Sequence, residues 1–163
     1  MPKARWLDDE EQATWRSFLI ATKLMTDRLE RDLKRHSGLS FAYYDVLSRL
    51  SEAPRRSMRM ADLAAACVFD RSRLSHTIDR LVRDGWVRRE EAGGDGRGQY
   101  AVLTAEGVKE VRRAARQHVE QVRELVFDRL SHEQQRSLRE ISAVLAAGMA
   151  DDAMLARMGW PDE

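Results

Sequence analysis

Apolar residues recur every three or four positions from Trp15 through Phe18, Leu19, Met25 and Leu29 to Leu33, which is one face of a helix. The acidic run Asp8-Asp9-Glu10-Glu11 suits the start of that helix and Gly38 its end. Ile20 and Leu24 lie off the stripe, so the pattern predicts cover on more than one side. Ser40 caps a second helix with the stripe Phe41, Tyr44, Leu47 and Leu50, and Pro54 stops it.

After a short stretch, Arg55 to Met60, comes a brief apolar helix over 61–68, carrying Leu63, Ala64 and Cys67. Asp70 caps a helix over 71–84, with Gly85 just past its end. Leu74, Ile78 and Leu81 face its core, with Val82 beside them. Trp86-Val87-Arg88-Arg89 alternates as a strand does; G-G-D-G-R-G within 90–99 makes a hairpin loop, and 100–103 is the returning strand. From Thr104 the spacing predicts one helix to Leu130, striped by Val108, Val111, Ala115, Val119, Val122, Val126 and Leu130. Its roughly 39 Å length exceeds the width of the small middle region, so it projects beyond it. Ser131 and Gln134 form a capping box for a last helix through Leu138, Ile141, Leu145 and Met149, and the tail 151–163 is expected to fray.

The chain has 163 residues, which is one domain by length. Three parts are expected within it: N-terminal helices over 8–53, a middle lobe over 54–104, and C-terminal helices over 105–155. No apolar run approaches the ~20 residues of a membrane span, and no apolar h-region follows the N-terminus. With 34% charged residues and a mean hydropathy of −0.57, a cytoplasmic protein is expected, with no membrane partner. A single cysteine, Cys67, excludes an internal disulfide and a multi-cysteine zinc site. The four histidines are scattered, so no metal and no cofactor is expected. No nucleophile elbow, phosphate loop or metalloprotease motif is present, so no catalytic residue is assigned and the chain is not read as an enzyme. The net charge of +1 hides an uneven spread: residues 71–89 carry six Arg against two Asp. That excess falls on the middle segment, where it favours a nucleic-acid partner.

Short helix, turn, second helix, strand, Gly-rich loop and strand, in that order, make a winged helix-turn-helix. The first helix braces the second, whose exposed face can enter a major groove. The residues placed to touch DNA are Arg71, Ser72, Arg73, Ser75, His76 and Arg80. Arg73 is read as the base reader, because arginine can bond guanine O6 and N7 together. In the loop, Arg97 between two glycines can reach a narrow minor groove, and Asp95 holds it in place.

The stretch F-D-R-S-R-L-S-H-T-I-D-R-L-V-R-D-G-W-V followed by G-D-G-R-G-Q-Y-A-V-L-T-A-E-G resembles the MarR/SlyA family of bacterial transcription regulators. Ser72 and Ser75 fall on that family's Ser and Thr, and His76 on a position where Arg is commoner. Leu81 and Gly85 match the core Leu and terminal Gly, Asp95 and Arg97 the wing pair, and Leu103-Thr104 with Gly107 the L-T-x-x-G exit. Arg59 stands where the family often has a Ser or Thr cap. The resemblance implies a mainly α fold with a small β-hairpin wing, in an intertwined helical homodimer. It further implies a repressor that binds double-stranded operator DNA at a pseudo-palindrome and is released by a small-molecule effector. Trp15, Phe18, His36, Phe41, Tyr43 and Tyr44 are the candidate effector-lining residues. Cys67, between Leu63 and Val68, is read as packing. The alternative reading is a winged-helix protein-interaction or architectural DNA-binding module with no ligand response.

Overall fold

The computed structural model describes residues 4–91 and 98–159. Helix α1, Asp9–Ser37, begins in a reciprocal capping box: Asp8 Oδ1 accepts from the Glu11 amide at 2.8 Å, and the Glu11 carboxylate accepts from the Asp8 amide at 3.0 Å. Gly38 ends it at φ 73°, after a basic last turn of Lys34, Arg35 and His36. Helix α2, Phe41–Glu52, is capped by Ser40. A 3₁₀ turn over Pro54–Arg56 leads into strand β1, Ser57–Arg59, and then α3, Met60–Ala66. Helix α4, Arg71–Arg83, is capped by Asp70, whose Oδ1 accepts from the Arg73 amide at 2.8 Å. Strands β2, Val87–Glu91, and β3, Gln99–Leu103, follow.

Among the described residues the sheet has three strands, not the two of the expected hairpin. β3 lies in the middle, paired antiparallel with β2 (Arg89 opposite Ala101) and with β1 (Met58 opposite Ala101). Ser-Met-Arg is too short to show an alternation, so β1 is defined only by its partner. Leu47, Leu50, Leu63, Ile78 and Leu81 form a core with no exposed surface, closed by Val87 and Leu103. Val82, expected beside that core, lies on the outer side of α4 and is 38% exposed.

Helices α3 and α4 end in the same backbone motif. The Gly85 amide donates to Val82 O and the Trp86 amide to Leu81 O; likewise Val68 donates to Ala65 O and Phe69 to Ala64 O. The left-handed residue is Gly85 (φ 76°) in one and Val68 (φ 53°) in the other. Val68, expected inside the helix, is thus the turn residue beyond it.

Helix α5, Ala105–Val122, starts at Thr104, which ties it to the lobe: the Thr104 hydroxyl donates to Gly85 O at 2.8 Å and accepts from the Gly107 amide at 3.0 Å. At Gly107 a Cβ would stand 2.1 Å from the Trp86 carbonyl oxygen, so only glycine lets the helix approach so closely. This contact gives L-T-x-x-G its physical content. The predicted single helix to Leu130 changes character at Arg123–Phe127, where the turn is of π type. Helix α6, His132–Ala147, opens with the expected Ser131–Gln134 capping box. The tail does not fray at once: Asp151 caps a further helix α7, Asp152–Arg157, which packs on α3. No described helix is long and apolar enough to cross a membrane.

Much of the expected apolar stripe is bare in the single chain. Leu29 and Leu33 are buried, whereas Trp15, Phe18, Leu19 and Met25 are exposed, as is Val119 on α5. Helix α6 has no buried residue, and Ile141 and Val144 are 58% and 75% exposed.

Candidate nucleic-acid interface

Helix α4 turns Leu74, Thr77, Ile78 and Leu81 into the lobe. The outermost line therefore carries Ser72, His76, Asp79 and Arg83, all exposed. Arg71 and Ser75 lie on the flank that faces the sheet. There a groove of about 480 Å³ runs between α4, the start of α3 and the two outer strands. Among the described residues its lining includes Arg59, Arg71 and Arg89 with Ser75 and Gln99, and no carboxylate. Arg89 on β2 reaches over to α4: its guanidinium pairs with Asp79 at 2.8 Å and points an N–H toward the Ser75 hydroxyl at 3.5 Å. Arg59 donates to the Tyr100 hydroxyl at 2.9 Å and lies over that ring.

The sequence reading missed Arg59 and Arg89. Arg89 was visible only as the basic half of an alternating strand. Its relation to Asp79 exists because β2 folds back beside α4. Of the expected DNA-contacting residues, Arg71, Ser72, Ser75 and His76 share this exposed surface. Arg80 is tied to Asp84 at 3.0 Å. Arg73 is exposed but turned to the opposite flank, its guanidinium 4.1 Å from the centre of the Phe69 ring. Asp95 and Arg97 lie outside the described residues.

The opposite flank of α4 borders a second cleft of about 660 Å³ between α1, α2 and the lobe. Lys23 and Glu30 of α1, Phe41 and Asp45 of α2, and Phe69 and Arg73 of the lobe line it. Cys67 also borders it, and burial, the largest cause, pushes its thiol up to about 12. At that value the nucleophilic thiolate is absent at neutral pH. The six expected effector-lining residues do not converge on one site. Phe41 lines this cleft and Tyr43 packs half-buried on the core. Tyr44 packs against the ring of His118, 4.6 Å away, with Phe41 at its edge at 6.1 Å. His36 lines a separate cleft of about 200 Å³ between α1 and α5, while Trp15 and Phe18 sit together in the open, 6.1 Å apart on α1. His118 was not singled out by the sequence. Its Nδ1 is buried with no hydrogen-bond partner among the described residues, and burial lowers its pKa from the ordinary 6.5.

A family model described as MarR family matches residues 37–98. The chain is 30% identical over 125 residues to the HTH-type transcriptional regulator PecS of Dickeya dadantii, covering 76% of this chain and 74% of that protein. Among solved structures, Sco3205 of Streptomyces coelicolor, a MarR family transcriptional regulator in complex with DNA, superposes with a TM-score of 0.88 at 48% identity, covering 94% of this chain and 96% of that one. AbsC of the same organism, also a MarR family transcriptional regulator, gives a TM-score of 0.85 at 40% identity over 90% of this chain and 98% of its own.

Proposed function

Because the chain belongs to the MarR family of transcriptional regulators, we propose that it binds a pseudo-palindromic operator as a homodimer, acts as a repressor, and is released by a small molecule. The observation that carries this reading is the arginine-lined groove beside α4. With α4 in a major groove and the wing in the adjacent minor groove, the phosphate strand between them must cross that groove. Arg59, Arg71 and Arg89 then flank it, and Ser75 and Gln99 add neutral donors. A relative at 48% identity is a MarR family transcriptional regulator solved in complex with DNA, which supports a DNA partner.

Ser72 and His76 are the groups on α4 nearest a base edge, and Arg73 joins them by swinging off Phe69. A cation–π contact at an exposed site is worth about 0.5–1 kcal/mol, less than a good bidentate guanine contact at about 1–3 kcal/mol, so the swing is favourable on the right base. Asp95 and Arg97 are assigned to the wing contact. The homodimer is supported by the bare apolar faces of α1 and α6, which a second copy would cover. The division into dimerisation helices over 8–53 and 105–155 and a DNA-binding lobe over 54–104 follows from this arrangement. The effector is assigned to the cleft that shares Arg73 with α4, where Phe41 and Phe69 offer aromatic walls.

Selection of binding sites from random duplex DNA tests the reading. Recovery of an inverted repeat with half-sites about one helical turn apart supports it. Absence of enrichment overturns it in favour of a protein-interaction or architectural module. Repeating the selection with candidate effectors identifies those that release the DNA.

A further inference from the structure

We propose that Asp79 is a positioning residue that holds Arg89 in the path of a DNA phosphate, while its own charge limits how tightly the chain holds DNA of any sequence. The proposal rests on the operator-binding reading above. The outermost line of α4, Ser72, His76, Asp79 and Arg83, carries one carboxylate. That carboxylate lies 2.8 Å from Nη2 of Arg89, which strand β2 brings across to α4. The same nitrogen points toward the Ser75 hydroxyl at 3.5 Å, one turn back along the helix. Side-chain exposures of 51% for Asp79 and 33% for Arg89 make this a surface pair. Such a pair contributes little to stability. A carboxylate is also unfavourable on a surface that meets phosphates, unless it acts on the cation beside it.

Two effects of opposite sign follow. An arginine loses rotamer freedom when a phosphate immobilises it. Asp79 and Ser75 remove part of that loss beforehand, because they already fix the guanidinium beside the groove. Arg59, on the other side of the same groove, is placed in a comparable way by the Tyr100 hydroxyl at 2.9 Å. This first effect strengthens binding and does not depend on salt. The second is Coulomb repulsion between the Asp79 carboxylate and the phosphates, which weakens binding. It is screened over a Debye length of about 10 Å at 0.1 M salt, so it fades as salt rises. Neither effect depends on base identity, since the phosphate backbone is common to all duplexes. Asp79 therefore tunes affinity and its salt dependence, and leaves sequence preference to the other residues of α4.

The test compares the full-length chain with Asp79→Asn, Asp79→Glu, Arg89→Gln and the double variant Asp79→Asn/Arg89→Gln. Each is titrated on the selected operator duplex and on a scrambled duplex of equal length, from low to high salt. Asp79→Asn is expected to steepen the salt slope by about one per protomer, because a negative charge has left the surface. It is expected to bind both duplexes more tightly than the unaltered chain at low salt. At high salt it is expected to bind both more weakly, by roughly threefold to tenfold per protomer, the weight of ordering one long side chain. The two salt curves therefore cross. Asp79→Glu keeps the charge and is expected to keep the slope. In the Arg89→Gln background, Asp79→Asn is expected to tighten binding at low salt and never to weaken it, since no guanidinium remains to be held. Weakening at every salt with an unchanged slope would make Asp79 a mere prop for α4 and overturns the proposal, as does no change at all. Tightening without a crossing shows charge without positioning, and high-salt weakening that persists without Arg89 shows another partner; both overturn it. A changed ratio of operator to scrambled affinity would make Asp79 a base reader and overturns it too. If the unaltered chain selects no DNA, the operator-binding reading falls, and this proposal with it.

Discussion

Val68 carries the clearest backbone strain. A β-branched residue at φ 53° is unfavourable, and this one is 60% exposed, so it gains little burial in return. Val68→Asn is expected to stabilise the fold by about 1 kcal/mol, raising Tm by about 2–4 °C; scanning calorimetry checks it. His118 makes a second residue-level prediction. Its folded pKa is lowered, so below the ordinary 6.5 the unfolded chain takes up a proton that the buried ring resists. Stability is therefore expected to be fully present above that value and to fall as the pH drops below it, and His118→Phe to flatten the fall in denaturant titrations. Cys67, with its thiol near 12, is expected to leave DNA binding unchanged under mild peroxide. Reversible release of DNA by peroxide, absent in Cys67→Ala, would contradict that.

At the scale of elements, the joint between the sheet and α5 and the pairing of β2 with α4 carry the testable geometry. Gly107→Ala drives a methyl into the Trp86 carbonyl and is expected to cost about 1–3 kcal/mol, measured by urea unfolding. An alanine there that folds with unchanged stability would show that α5 does not sit so close. Arg89→Gln removes a cation from the groove and frees the Asp79 carboxylate beside it. Binding to cognate and scrambled duplexes is expected to weaken alike, with the salt slope reduced by about one per protomer. Arg73→Ala is expected to differ, costing about 1–3 kcal/mol on the cognate site alone. Equal losses on both duplexes would make Arg73 a phosphate contact.

On the scale of the whole molecule, the exposed apolar faces of α1 and α6 demand a cover. Sedimentation at micromolar concentration is expected to give about twice the 18.8 kDa chain mass. Replacing Ile141 and Val144 by Asp charges the face of α6 without touching the lobe core, and is expected to yield monomers with native helix content but weakened operator binding. A monomeric unaltered chain would mean that these faces are covered by something other than a second copy.

The helix starts were legible in the sequence because each is a local event. Asp8, Ser40, Asp70, Thr104, Ser131 and Asp151 each cap through a bond to an amide three residues on, and the first five were readable from residue type and spacing alone. The inward triad Leu74, Ile78 and Leu81 was legible for the same reason, since helical period fixes a face. What the sequence left open depends on partners far along the chain. Strand β1 exists through Ser57 lying opposite Val102, and α7 is placed by the bond from Arg49 to Met158. Arg89 meets the face of α4 only because β2 returns beside Asp79. Arg73 went to Phe69 because a helix face offers two flanks, and the neighbouring structure decides which one a long side chain takes. Local hydrogen bonding and periodicity therefore determined the elements and their buried faces, whereas loop closure over tens of residues decided which elements meet, because the contacts that offset its entropy belong to no single segment.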